Sequence, residues 1–84
     1  MSGQDVAVIV GAGSGLSASL ARRFSQAGMK VALAARDTEK LIGIQSETGA
    51  HLYACDTVET DQVNALFDAV LSDLGAPTVV VSNA

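Results

Sequence analysis

The sequence predicts an α/β fold: an incomplete doubly wound parallel sheet of the form βαβαβαβ, with strand order 3-2-1-4. Three observations predict it. Short apolar runs alternate with segments of helical spacing along the whole chain. The joints between them are short, which makes neighbouring strands parallel and their crossovers right-handed. The first apolar run also feeds a glycine-rich turn that opens directly into a helical pattern, across residues 10–19. The strands are apolar rather than alternating, as a sheet covered by helices on both faces requires.

Taken in order, residues 5–10 are the first strand, with three valines and an isoleucine. Residues 15–27 are a helix whose apolar positions Leu16, Leu20, Ala21, Phe24 and Ala27 oppose Arg22, Arg23 and Gln26, with Gly28 as a left-handed stop. Residues 30–35 are the second strand, and Arg36 stands at its carboxyl end. Asp37 or Thr38 caps a shorter helix carrying Leu41, Ile42 and Ile44, in which Gly43 costs about 1 kcal/mol against alanine. Residues 50–55 are the third strand, followed by Asp56 and Thr57. The longest helix holds Val63, Leu66, Phe67, Val70, Leu71 and Leu74 and stops at Gly75 and Pro77. Residues 78–81 are the fourth strand. Val79, Val80 and Val81 would then form an exposed apolar edge, so the chain is expected to be the N-terminal part of a larger domain, or to meet a partner that supplies the missing layer.

Composition bounds the partners. Eighty-four residues make one small domain at most, burying about 60% of its unfolded surface. A formal net charge of −4 argues against nucleic acid or an anionic membrane surface as the main partner. The single cysteine, Cys55, excludes an intrachain disulfide and a cysteine zinc site, and fits a reducing cytoplasmic setting. The first residues lack the basic and apolar regions of a signal peptide, and no apolar run reaches membrane-spanning length. The expectation is a soluble intracellular chain.

Strand, glycine turn and helix together seat a phosphate on a helix N-terminus, where free N–H groups and the helix dipole favour anionic oxygen. A P-loop needs Gly-Lys-Ser/Thr, but Gly15 is followed by Leu16. A methyltransferase-like Gly-x-Gly-x-Gly fits Gly11, Gly13 and Gly15, yet the positions where that pattern usually carries acids hold Ile9 and Ala35. The pattern Gly-x-Gly-x-x-Gly begun at Gly11 meets Leu16 at its third glycine; Gly-x-x-x-Gly-x-Gly matches Gly11 and Gly15 and places Ser17 third.

In this register the sequence resembles the short-chain dehydrogenase/reductase family over essentially all 84 residues, as that family's N-terminal, Rossmann-like cofactor-binding half. The resemblance implies a dinucleotide held at the turn by Gly11, Gly13, Ser14, Gly15 and Leu16. It puts Ala35 at the usual ribose-binding acid, about 24 residues after the first glycine, with Arg36 beside it. It implies an adenine contact from Asp56, followed by Thr57, and it matches Asn83 and Ala84 to an Asn-Ala-Gly-like motif near ribose and nicotinamide. Ser17 for the third glycine and Val10 for a common threonine depart from the pattern and suggest an atypical branch.

The end of the second strand sets the expected cofactor. An acid there would bond the 2′-OH of NAD and repel the 2′-phosphate of NADP; Ala35 removes the repulsion, and Arg36 offers a fork of donors. Charge-assisted bonds of about 1.5–3 kcal/mol correspond to roughly a ten- to hundredfold preference for NADP. Ser14 and Lys40 are further candidates for the same phosphate.

Other reactive side chains are set aside. The resembled family works with a serine and Tyr-x-x-x-Lys, but four residues after Tyr53, the only tyrosine, stands Thr57, so Tyr53 is read as packing. His51 is read as a strand surface residue, Cys55 as a small apolar packer, and Asp61, Asp68 and Asp73 as a solvated helix face. No catalytic residue and no metal ligand is assigned. The expected function is the cofactor-binding segment of an NADP-dependent oxidoreductase acting on a small carbonyl or alcohol, homo-oligomeric when complete. The alternative is a non-enzymatic nucleotide-binding or regulatory module that pairs with another chain.

Overall fold

Strand β1 (Val6–Val10) lies inside the sheet, and all five of its residues are buried. The computed structural model describes residues 5–13 and 15–82. After β1 come α1 (Gly15–Gln26), β2 (Lys30–Ala35), a 3-10 turn (Thr38–Leu41), α2 (Ile42–Thr48), β3 (His51–Ala54), α3 (Thr60–Asp73) and β4 (Val79–Ser82). The four strands are parallel in the order β3-β2-β1-β4, as the sequence predicts. Val8 sits opposite Ala32 on one side and Val80 on the other, so β4 has crossed to the far edge of β1.

Alternation along the strands divides the core in two. Val6, Val8, Val10, Ala32 and Ala34 pack with Cys55, Leu66, Val70 and Leu74, which puts α3 on one face. Ile9, Val31, Leu33 and Ala35 pack with Ala21, Leu41 and Ala50, which puts α1 and the α2 region on the other. Ile9, Leu33 and Val70 are among the largest fully buried side chains, and burial of each contributes about 1.5–3 kcal/mol. The lower ends of the strands are tied together: Lys30 N–H donates to Asp5 O at 2.8 Å and Thr78 N–H to Val6 O at 2.7 Å. An exposed ion pair between Arg22 and Glu47 and a 3.1 Å bond from Ser25 Oγ to Thr48 O join α1 to α2. Gly28 has φ 84°, the left-handed conformation that ends α1.

The differences from expectation are local. Asp37 caps the 3-10 turn, its Oδ1 accepting from Glu39 N–H at 3.0 Å, and the α-helix proper starts only at Ile42. The strands at the two edges are shorter or shifted: β3 covers four residues, and β4 starts at Val79. Leu16, Ile42 and Leu71, assigned by spacing to buried faces, are exposed. Val80 is 52% exposed on the β4 edge, in line with the predicted apolar edge. His51 is exposed, as expected.

Tyr53 packs against the α3 side of the core, and its hydroxyl donates to Asp73 Oδ2 at 2.9 Å. Asp73 is therefore a partner in a bond across β3 and α3, not simply a solvated acid. Burial first, then the bond to Asp73 and its charge, pushes the Tyr53 hydroxyl from 10.0 up to about 12. Below pH 10 the proton is bound in folded and unfolded chains alike, and the stabilisation is fully present. Between pH 10 and 12 the unfolded chain releases it first, so stability falls. In denaturant titrations, the unmodified chain is expected to lose stability over that interval relative to Tyr53→Phe; parallel profiles would contradict this account.

Candidate functional site

The carboxyl ends of β1, β2 and β3 lie along one edge of the sheet, and the segments that leave them carry the residues singled out by sequence. After Val10 the chain turns sharply: Gly11 and Gly13 have φ 83° and 146°, and Gly11 N–H and Ala12 N–H both donate to Ala34 O at 2.9 Å. The turn is thereby fastened to β2, one residue before the strand's end. A side chain at Gly13 would be strained by its backbone angle. Gly15 is different. A Cβ added there would meet nothing within 4 Å, so packing among the described residues does not demand a glycine at the start of α1. Absence of a side chain matters at that point only for something approaching from outside, against the outward N–H groups of the first helical turn.

Beside the turn lies an open cleft of about 180 Å³ lined by Ala12, Gly13, Ala35, Arg36, Asp37 and Lys40. The glycine turn, the end of β2 and the 3-10 turn thus share one surface, and it carries two cations and one acid. Asp37 has its Oδ1 committed to Glu39 N–H. Ala35 puts a methyl group where an acid would stand. Both Arg36 and Lys40 are exposed and reach the cleft from consecutive turns of backbone.

The third segment follows β3. Cys55 N–H donates to Ala35 O at 2.9 Å, which brings Asp56 next to the end of β2. Cys55 itself is 2% exposed and packs in the core, as expected; burial first, then the neighbouring Asp56 charge, pushes its thiol up. That shift disfavours the thiolate. Asp56 is half-buried, its Oδ1 accepts from Val58 N–H at 3.2 Å, and its own N–H donates to Gln62 Oε1 at 2.8 Å. Thr57 is exposed in the same turn, and Val58 is 80% exposed. Leu16, 60% exposed, offers an apolar surface at the first turn of α1.

Of the residues assigned by sequence, Gly13 and Arg36 line one cleft, Gly11 fastens the adjoining turn to β2, Gly15 opens α1, and Asp56 is linked to the end of β2 through Cys55 and Ala35. Ser14, Asn83 and Ala84 lie outside the described residues. Sequence reasoning missed Ala12 and Asp37 as lining residues and Gln62 as a partner of Asp56. Asp37 carried a capping signal only, and a glutamine near a helix start carries none. A larger cleft, about 300 Å³, lies between β3 and α3 and is lined by Tyr53, Ala54, Gln62, Ala65, Leu66 and Ala69. No cation lines it, and it shares no lining residue with the cleft beside the glycine turn. Among the described residues no cluster of three or more His, Cys, Asp or Glu side chains could hold a metal ion, and no helix is long and apolar enough to cross a membrane.

Comparison with known proteins identifies the family and supports the fold. An uncharacterized oxidoreductase of Mycobacterium tuberculosis is 33% identical over 87 residues, covering 94% of this chain and 26% of that protein. A metagenomic short-chain oxidoreductase solved in complex with NADP has a TM-score of 0.90 at 37% identity, covering 98% of this chain and 39% of that one. A 3-ketoacyl-(acyl-carrier-protein) reductase from Brucella melitensis, complexed with NADH, has a TM-score of 0.84 at 32% identity, covering 93% and 33%. The chain therefore spans well under half the length of these relatives. The family model for short chain dehydrogenases matches residues 5–84, and the chain belongs to that family.

Proposed function

We propose that this chain is the N-terminal cofactor-binding segment of a cytoplasmic short-chain oxidoreductase that takes NADP(H) in preference to NAD(H). The observation that carries the preference is the cleft in which Arg36 and Lys40 stand beside Gly13 while Ala35, not an acid, ends β2. Relatives of known structure include one with NADP and one with NADH, so the preference rests on this chain's own charges. Gly13, Gly15 and the start of α1 receive the pyrophosphate, with Ser14 adding a hydroxyl. Arg36 and Lys40 hold the 2′-phosphate, and Asp56 with Thr57 faces the adenine. By the family resemblance, Leu16 belongs to the cofactor-binding turn, and Asn83 and Ala84 contact the ribose and nicotinamide end. When bound, the dinucleotide supplies the hydride chemistry, exchanged with a carbonyl or an alcohol. The residues present bind and orient; the serine and the Tyr-x-x-x-Lys set that would move the proton are not among these 84. We assign them to the remainder of a longer, homo-oligomeric protein that has no nucleic-acid or membrane partner. A non-enzymatic nucleotide-binding or regulatory module that pairs with another chain is the alternative, and carbonyl-dependent NADPH oxidation by the complete protein would exclude it.

Two substitutions test the reading. Arg36→Asp is expected to weaken NADP+ binding roughly ten- to hundredfold and to reverse the order of the two cofactors in calorimetric titration. Equal affinity of the unmodified protein for NADP+ and NAD+ would overturn the preference. Gly15→Ala is expected to leave thermal stability unchanged or raise it by up to about 1 kcal/mol, since alanine is the better helix former. The same substitution is expected to weaken dinucleotide binding at least about tenfold, by the analogy of a methyl group filling the phosphate's approach. Unchanged binding would remove the turn from the site.

A further inference from the structure

The turn between β3 and α3 is held by a side chain whose position would ordinarily serve the helix. Glu59 is the N-cap of α3, with no side-chain cap bond, and Gln62 is the third residue of the helix. In a capping box the residue at this position reaches back to the backbone N–H of the cap. Here it does not. Glu59 N–H goes instead to Asp56 O at 3.0 Å, and Gln62 Oε1 passes over the cap to accept from Asp56 N–H at 2.8 Å. The Asp56 backbone is thus held at both its N–H and its carbonyl, and its Oδ1 is held by Val58 N–H at 3.2 Å. The preceding residue, Cys55, donates its N–H to Ala35 O, at the end of β2. Of these contacts, only the Gln62 bond depends on a side chain from outside the turn.

We infer that Gln62 is a positioning residue for Asp56, fixing the carboxylate where it accepts from the 6-amino group of the bound cofactor's adenine. The inference rests on the dinucleotide reading above and deepens it. An acceptor at residue 62 sets the orientation of the Asp56 peptide, and the carboxylate follows, because its Oδ1 is bonded within the same turn. Without that acceptor the N–H turns to water, the turn gains freedom, and ordering it again on binding reduces the selectivity of the contact. Gln62 touches no part of the cofactor itself. Its effect is confined to how well the protein tells adenine from a base that lacks the amino group.

The probe is NADP+ against its hypoxanthine analogue, in which a carbonyl oxygen replaces the 6-amino group. The unmodified protein is expected to bind NADP+ about tenfold more tightly than the analogue, the ratio that one charge-assisted hydrogen bond supplies. Gln62→Leu removes the acceptor, and Gln62→Asn draws it back by one methylene; both are expected to reduce the ratio to about threefold or less. Gln62→Glu, whose carboxylate accepts the same N–H, is expected to keep the ratio. Thermal melts identify a variant that fails to fold, and amide exchange at Asp56 in the free protein is expected to speed up in Gln62→Asn. Leu and Asn variants that keep the unmodified ratio, or a Glu variant that loses it as fully as Leu does, would overturn the inference. So would an unmodified protein that binds NADP+ without distinguishing the analogue, which would leave the cofactor reading standing. A protein that binds neither ligand overturns both.

Discussion

Everything in this fold depends on β1 being paired on both edges and covered on both faces. Five consecutive buried residues, three of them valine, satisfy that demand only if β2 lies on one side, β4 on the other, and helices lie above and below. The right-handed crossovers then leave no choice about placement. The connections from β1 to β2 and from β2 to β3 put α1 and α2 on one face, and the return from β3 to β4 puts α3 on the opposite face. Between β1 and β4 the direction of winding reverses, and the chain leaving β1 has no helix crossing over it. That opening is where a doubly wound sheet receives a ligand. The glycine turn sits there because β1 ends there.

Charge gives the opening its character. The chain as a whole is acidic, with a formal net charge of −4, yet the cleft beside the turn gathers Arg36 and Lys40 and a single acid already engaged with a backbone N–H. A local positive field on an acidic protein attracts an anion to one place and discourages it elsewhere. The link from Cys55 N–H to Ala35 O extends the same surface to Asp56, so a ligand with a phosphate and a base can span both. The cleft between β3 and α3 is larger but gathers no cation, and size alone does not make it the site.

Much of this was legible in the sequence. Apolar runs and helical spacing are strong where burial is complete, so β1, β2 and the body of α3 came through with their order, topology and facing. Edges were less legible. Ile42 and Leu71 obey the spacing of a buried face but are exposed, and only tertiary packing decides how far a buried face extends. In the proposed site, Gly11, Gly15, Arg36 and Asp56 were singled out because residue type and spacing mark each of them in the sequence alone. Gln62 was not readable, because a glutamine at the third position of a helix is ordinary and its use depends on the path of a turn six residues earlier. The bond of Asp73 to Tyr53 was hidden for the same reason: it crosses between β3 and α3, and no local pattern announces it.

The central claim is that the glycine turn and the end of β2 form one anion-receiving surface that favours a 2′-phosphate. Backbone amide NMR of the protein, titrated in parallel with adenosine 2′,5′-bisphosphate and with adenosine 5′-monophosphate, tests it most directly. The account expects the bisphosphate to bind more tightly and to shift the amides of Gly13, Gly15, Arg36 and Lys40 together, with one common affinity. Shifts gathered instead around Tyr53, Ala65 and Ala69, or equal binding of the two nucleotides, would contradict it.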